Sequence, residues 1–129
     1  MKIAILIARI LLGLLFFVFG LNGILHFMKT PAMPPSDATT FATILMNSGY
    51  MTFVSVLMVV AGLLLLVGRY VPLALVILGP IIVNILCFHF LIAKGGAAPG
   101  LVALVLELFL IWAYRLSFRG LFDAAPEVS

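Results

Sequence analysis

Ile3-Ala-Ile-Leu-Ile-Ala-Arg-Ile-Leu-Leu-Gly-Leu-Leu-Phe-Phe-Val-Phe-Gly-Leu-Asn-Gly-Ile-Leu25 is a run of 23 residues that carries one charge, Arg9. A helix rises about 1.5 Å per residue, so the run is long enough to cross a hydrocarbon core of about 30 Å. It follows Lys2 as a signal peptide would, but it exceeds an h-region of about 7–15 residues and no Ala-x-Ala site follows. It therefore reads as a retained first span, residues 3–25. The rest of the chain agrees. Of its 129 residues, 66% are hydrophobic and 9% charged, and the mean hydropathy is +1.40. A soluble domain this small buries too little of its surface to hide so much apolar area. A soluble globular domain, a disordered chain and a disulfide scaffold are all excluded. Room remains for four spans, at most five, and for no soluble domain.

Three further runs follow. Residues 51–67 form a short second span closed by Gly68-Arg69. Residues 71–92 form a third, with Pro72 in a tolerated first-turn position and Pro80 inside, where it frees a carbonyl and is expected to kink the helix. Residues 101–118 form a fourth, and 119–129 a polar tail. Between the first two spans, residues 26–50 are the long polar stretch. Pro31, Pro34 and Pro35 exclude regular helix at its start. Ser36 or Asp37 is then a fitting N-cap, and Phe41, Ile44, Leu45 and Met46 mark an apolar stripe away from Thr40, Thr43 and Asn47. The expectation is an all-α polytopic membrane protein. It is a single domain over 1–129, a four-transmembrane-helix bundle with a short amphipathic lid helix between the first and second spans.

Lys and Arg number seven against four acidic residues, for a net charge of +3. The basic residues sit at span ends, where they set topology and meet anionic lipid headgroups. No basic run suggests nucleic acid. Lys2, Arg9, Arg69, Arg115 and Arg119 fall on one side, and Lys29 and Lys94 on the other. This bias expects a multi-pass membrane protein with both termini in the cytoplasm and the 26–50 segment outside. Cys87 is the single cysteine, so an internal disulfide or a Cys-x-x-Cys redox pair is excluded.

Polar residues inside spans cost free energy in lipid and normally face the bundle interior. At about 1.5 Å per residue, Glu107 lies about 9 Å inside the outer end of its span and Asn84 about 12 Å. Asn22 and His89 lie about 5 Å deep and His26 at the boundary. These five are the candidate ligand-binding residues, gathered in the outer half beneath the lid, with Glu107 and Asn84 at the centre. Glu107 shares a face with Gly100 and Ala103, small residues that let a neighbouring helix approach. A carboxylate at that depth needs a cation or donors, and Arg9 and Arg115 are the candidate charge partners. Each residue also has a structural reading: Asn22 and Asn84 as interhelical glue, His26 as interfacial, Arg115 with Trp112 and Tyr114 as an anchor set. Gly13, Asn22 and His26 echo Gly79, Asn84 and His89 faintly, as a parallel two-helix repeat would. His26 and His89 lie too near the surface for a paired-helix haem, and no close-spaced ligand pair points to a metal.

The chain resembles the DoxX family of small four-helix bacterial membrane proteins. The resemblance rests on Ala8-Arg-Ile-Leu-Leu-Gly-Leu-Leu-Phe-Phe-Val-Phe-Gly-Leu-Asn22, Met33-Pro-Pro35, Ser48-Gly-Tyr50, Gly62-Leu-Leu-Leu-Leu-Val-Gly-Arg-Tyr-Val-Pro-Leu-Ala-Leu75, Pro80-Ile-Ile-Val-Asn84, Phe88-His89, Leu106-Glu107 and Trp112-Ala-Tyr-Arg115. Relatives often carry a Glu one turn before the Gly that opens the Leu run. Here that position is Met58. The family takes its name from a subunit of an archaeal thiosulfate:quinone oxidoreductase, and other members are linked to membrane redox complexes. The lid, the kinked third span and the buried polar set together lead to the expectation of an outward-facing polar pocket that binds a quinone or lipid, or that supports a redox partner protein. A quinone-linked oxidoreductase subunit and a small transporter or channel subunit are the alternatives. Membrane lipids and a second copy of the chain are the remaining candidate partners, and whether a reaction is catalysed stays open.

Overall fold

A computed structural model describes residues 1–28 and 34–128, and among them there is no strand. Helix α1 (Lys2–Leu25) ends at His26, which turns left-handed at φ 53°. Helix α2 (Asp37–Asn47) starts on Ser36, whose hydroxyl accepts the Thr39 N–H at 3.2 Å, so the expected N-cap is the one used. Helix α3 (Tyr50–Val67) closes on Gly68. Helix α4 (Val71–Cys87) carries Pro80 inside it and runs on into a π-helical turn, Phe88–Ile92. Helix α5 (Ala98–Ala113) is followed by a 3-10 helix, Arg115–Phe122.

Among the described residues, three helices are long and apolar enough to cross a membrane: α1, α3, and α4 with its π turn. Helix α5 and the 3-10 helix qualify together as a fourth span, bent by 85°. Leu6, Leu14, Val18, Val56, Val60, Val76, Val83, Val105 and Leu108 are all exposed on the outside of the helices. A water-soluble protein does not present so wide an apolar belt; acyl chains do cover one. The chain is an all-helical, multi-pass membrane protein.

The fourth apolar helix differs from the expected 101–118. It starts at Ala98 because Pro99 fits the first turn, where its missing N–H is not needed. It ends at Ala113 because Tyr114 leaves helical geometry (φ −101°, ψ 20°). Arg115 and Arg119 then lie exposed on the turned segment instead of being carried into the apolar layer.

Helix α1 packs most extensively on α3, α3 on α4, α4 on α5 and α5 back on α1, so the four close into a ring. Leu12, Phe16, Leu65, Leu75, Leu78, Ile82 and Leu110 fill its centre. The α1–α3 contact is backbone against backbone. A Cβ on Gly62 would lie 2.7 Å from the Phe17 nitrogen and 2.8 Å from the Gly13 carbonyl oxygen, so only glycine fits there. The pair is antiparallel. The Arg9 guanidinium, near the start of α1, lies against Gly68 at the end of α3, and Ser55, near the start of α3, faces Gly23 near the end of α1.

Candidate functional site

A partly open cavity of about 840 Å³ lies at the end of the ring that holds the C-terminus of α1 and the start of α3. Helix α1 contributes Leu15, Phe16, Phe19, Asn22 and Gly23, with His26 just beyond it. Helix α3 contributes Met51 and Met58, and α5 contributes Pro99, Gly100 and Ala103. Ile85 and His89 come from α4 and its π turn. Helix α2 closes one side with Thr39, Ala42, Thr43, Met46 and Asn47.

Helix α2 is therefore oriented opposite to a simple amphipathic lid. Its polar positions, one turn apart at Thr39, Thr43 and Asn47, face the cavity, while Ile44 is 61% exposed and Phe41 also lies outward. Met46 of the apolar stripe lines the cavity beside Thr39, Thr43 and Asn47, and the wall as a whole is mostly apolar. The Phe41 ring stacks on Phe88 at 5.5 Å, which ties α2 to the π turn. The segment 29–33, with Lys29, Pro31 and Met33, lies outside the described residues.

Of the five candidate ligand-binding residues, Asn22, His26 and His89 line the cavity. Asn22 also holds the end of α1: its Oδ1 accepts the Met28 N–H at 2.8 Å, beside the His26 N–H bond to the Asn22 carbonyl at 2.8 Å. Two hydrogen bonds thus support the left-handed turn at His26, a conformation that a non-glycine residue does not adopt freely. His89 is tied to the turn between α4 and α5 twice. Its carbonyl accepts the Gly95 N–H at 2.9 Å, and its Nδ1 lies 3.0 Å from the Gly95 oxygen. A carbonyl only accepts, so Nδ1 carries the proton and Nε2 is left as an acceptor.

Asn84 is a correction. It is exposed on the outside of α4, and its Nδ2 donates to the Pro80 carbonyl at 2.9 Å. A polar side chain facing lipid meets its hydrogen-bonding need on its own helix, and the proline turn supplies the acceptor. Asn22 and Asn84 are thus not equivalent, and the echo between the two helices has no counterpart in their placement.

Glu107 is 2% exposed, on the inward face formed by Gly100, Ala103 and Leu110. Gly79 on α4 lies beside its carboxyl: a Cβ there would meet Oε2 at 3.5 Å, an ordinary contact. With α5 starting at Ala98, Glu107 lies about 14 Å along the helix, deeper than the sequence suggested. It sits one turn below Ala103 and off the cavity wall. Both carboxyl oxygens are buried without a hydrogen-bond partner among the described residues. The charge partners considered for it lie elsewhere. Arg9 reaches Gly68, at the carbonyl end of α3, where a helix favours a cation. Arg115 donates to the Trp112 carbonyl at 2.9 Å and covers the Trp112 ring at 4.8 Å, an interfacial anchor.

Sequence reasoning missed the methionines. Four of the six in the chain, Met28, Met46, Met51 and Met58, line this one cavity. No periodicity marks them, because they come from three different segments. Among the described residues no group of three His, Cys, Asp or Glu side chains could hold a metal ion.

No family model matches the chain, and no solved structure matches it. It is 30% identical over 125 residues to the uncharacterized protein YwoB of Bacillus subtilis (strain 168), an alignment that takes in 92% of this chain and 81% of that protein. At that identity over that share of both lengths, the chain belongs to the same family as YwoB.

Proposed function

We propose that the chain is a DoxX-like, four-span protein of the bacterial cytoplasmic membrane whose outward-facing cavity binds a lipid-soluble small molecule, a quinone or a lipid, with α2 as its lid. The observation that carries this reading is the cavity itself. An 840 Å³ space with an apolar wall and a few convergent polar groups is what ligand sites share. Its methionines give an adaptable apolar surface. The resemblance to a family linked to membrane redox complexes supports the same reading, with a redox protein as partner. A quinone-linked oxidoreductase subunit is the second reading, favoured by Glu107, a buried carboxyl with free oxygens one turn behind the cavity wall.

Native mass spectrometry of protein purified in mild detergent tests the proposal. One lipid-soluble molecule per chain is the expected result, lost in Ala42→Trp, which fills the space from the lid side. A folded protein that carries nothing from its membrane overturns it.

The basic bias supports an orientation with both termini in the cytoplasm. Arg69, Arg115 and Arg119 are exposed at or beyond the ends of α3 and α5, and Lys94 is exposed in the turn between α4 and α5. In Cys87→Ser protein, Lys94→Cys is expected to react with an impermeant maleimide added outside intact cells. Labelling only after the cells are opened reverses the orientation.

A further inference from the structure

Among the described residues, no Asp, Glu, Lys or Arg side chain lines the cavity. Its polar groups are two histidines, two asparagines and two threonines, and part of their capacity is spent. The Thr39 hydroxyl donates to the Pro34 carbonyl at 3.0 Å and the Thr43 hydroxyl to the Thr39 carbonyl at 2.8 Å. Neither threonine has a proton left to give. Oδ1 of Asn22 is taken by the Met28 N–H, which leaves Nδ2 to donate. His89 gives its Nδ1 proton to Gly95, which leaves Nε2 to accept.

From this pattern of unspent groups we infer that the ligand is an uncharged lipid with a hydroxyl head. Its hydroxyl proton goes to His89 Nε2 and its oxygen accepts from Asn22 Nδ2, with the apolar tail along the methionine and phenylalanine wall. The inference rests on the cavity being a ligand site and narrows what it takes. A phosphate head carries acceptors and negative charge. It would meet the His89 lone pair and two threonine oxygens, and among the described residues no Lys or Arg side chain lines the wall to offset its desolvation. A quinone in its oxidised form has only acceptors, which leaves His89 without a partner. A hydroxyl can serve the His89 acceptor and the Asn22 donor together, and the His26 ring and Asn47 amide on the same wall can take its remaining bonds.

A series with one tail and three heads tests this: geranylgeraniol, its methyl ether and its monophosphate, each titrated into delipidated protein in detergent and read by native mass spectrometry. The alcohol is expected to bind about tenfold more tightly than the ether, which cannot donate, and at least about tenfold more tightly than the phosphate. His89→Phe is expected to bring alcohol and ether to equal affinity while leaving the fold intact by circular dichroism. Asn22→Asp keeps the oxygen that holds Met28 and removes the donor, so it is expected to weaken both. Dioleoylglycerol is run beside geranylgeraniol, and the tighter of the two identifies a glycerolipid or an isoprenoid alcohol as the source of the hydroxyl. Equal or tighter binding of the phosphate overturns the uncharged class and leaves the cavity a ligand site. Binding of none of them removes the ligand site itself.

Discussion

Gly62→Leu is expected to leave no folded protein. The new Cβ would press on the Phe17 nitrogen and the Gly13 carbonyl, and these are backbone atoms that no rotamer change can move aside. Helices α1 and α3 would have to separate along the most extensive contact in the molecule. Even Gly62→Ala is expected to cost about 1–3 kcal/mol, the usual range for overpacking. The leucine adds a branched chain at the same point, against a total stability of about 5–15 kcal/mol for an ordinary domain. Gly120→Leu is the control, because a Cβ there meets nothing within 4 Å. Thermal unfolding in detergent, followed by circular dichroism at 222 nm, separates the two. Equal melting of both variants would mean that α1 and α3 are not in backbone contact.

Glu107→Leu is expected to raise stability, by about 1–3 kcal/mol, the size of an unsatisfied buried polar group. The sign is the informative part. A carboxyl that bridged two helices would lose its partner on substitution and the protein would melt lower. Here both oxygens are buried and unpartnered among the described residues, so a leucine of similar volume removes a cost and breaks no contact. Ligand retention or cellular complementation is expected to fall in the same variant, because a destabilising group that is kept at a site is commonly kept for function. Glu107→Gln serves as the isosteric comparison. If either variant melts below the parent, Glu107 is a structural partner and the proton-handling reading falls.

The spans were legible because apolar run length is a one-dimensional signal: Lys2–Leu25 and Tyr50–Val67 each differ from the runs read in sequence by one residue. The inward face of α5 was legible for a related reason, since Gly100 and Ala103 mark where a neighbour must approach. Asn84 was not legible. Depth along a helix is fixed by counting, but the direction a side chain faces depends on the neighbours, and Pro80 gave this amide a partner on its own helix. The apolar stripe of α2 was legible, but not which of its positions line the cavity: Met46 of the stripe does, together with Thr39, Thr43 and Asn47. Lysine and arginine near the ends of spans were readable as end markers, but not as partners: Arg9 sits at the end of α3 and not beside Glu107.

Helix α5 has 16 residues and so measures about 24 Å, against a hydrocarbon layer of about 30 Å. The chain does not lengthen it; at Tyr114 it turns away by 85°. Beyond the turn, Leu116, Leu121 and Phe122 are exposed beside Arg115 and Arg119, the composition of a segment that floats at headgroup level. Hydrophobic mismatch is thereby largest beside α5. The leaflet next to α5 must thin or its lipids must tilt, at a cost of fractions of a kcal/mol per Å, while α1, with 24 residues, meets a bilayer of ordinary depth. A membrane inclusion with one short helix deforms the bilayer unevenly around its rim. It gathers shorter or more disordered acyl chains along α5, and it favours bilayers thin enough to spare that deformation.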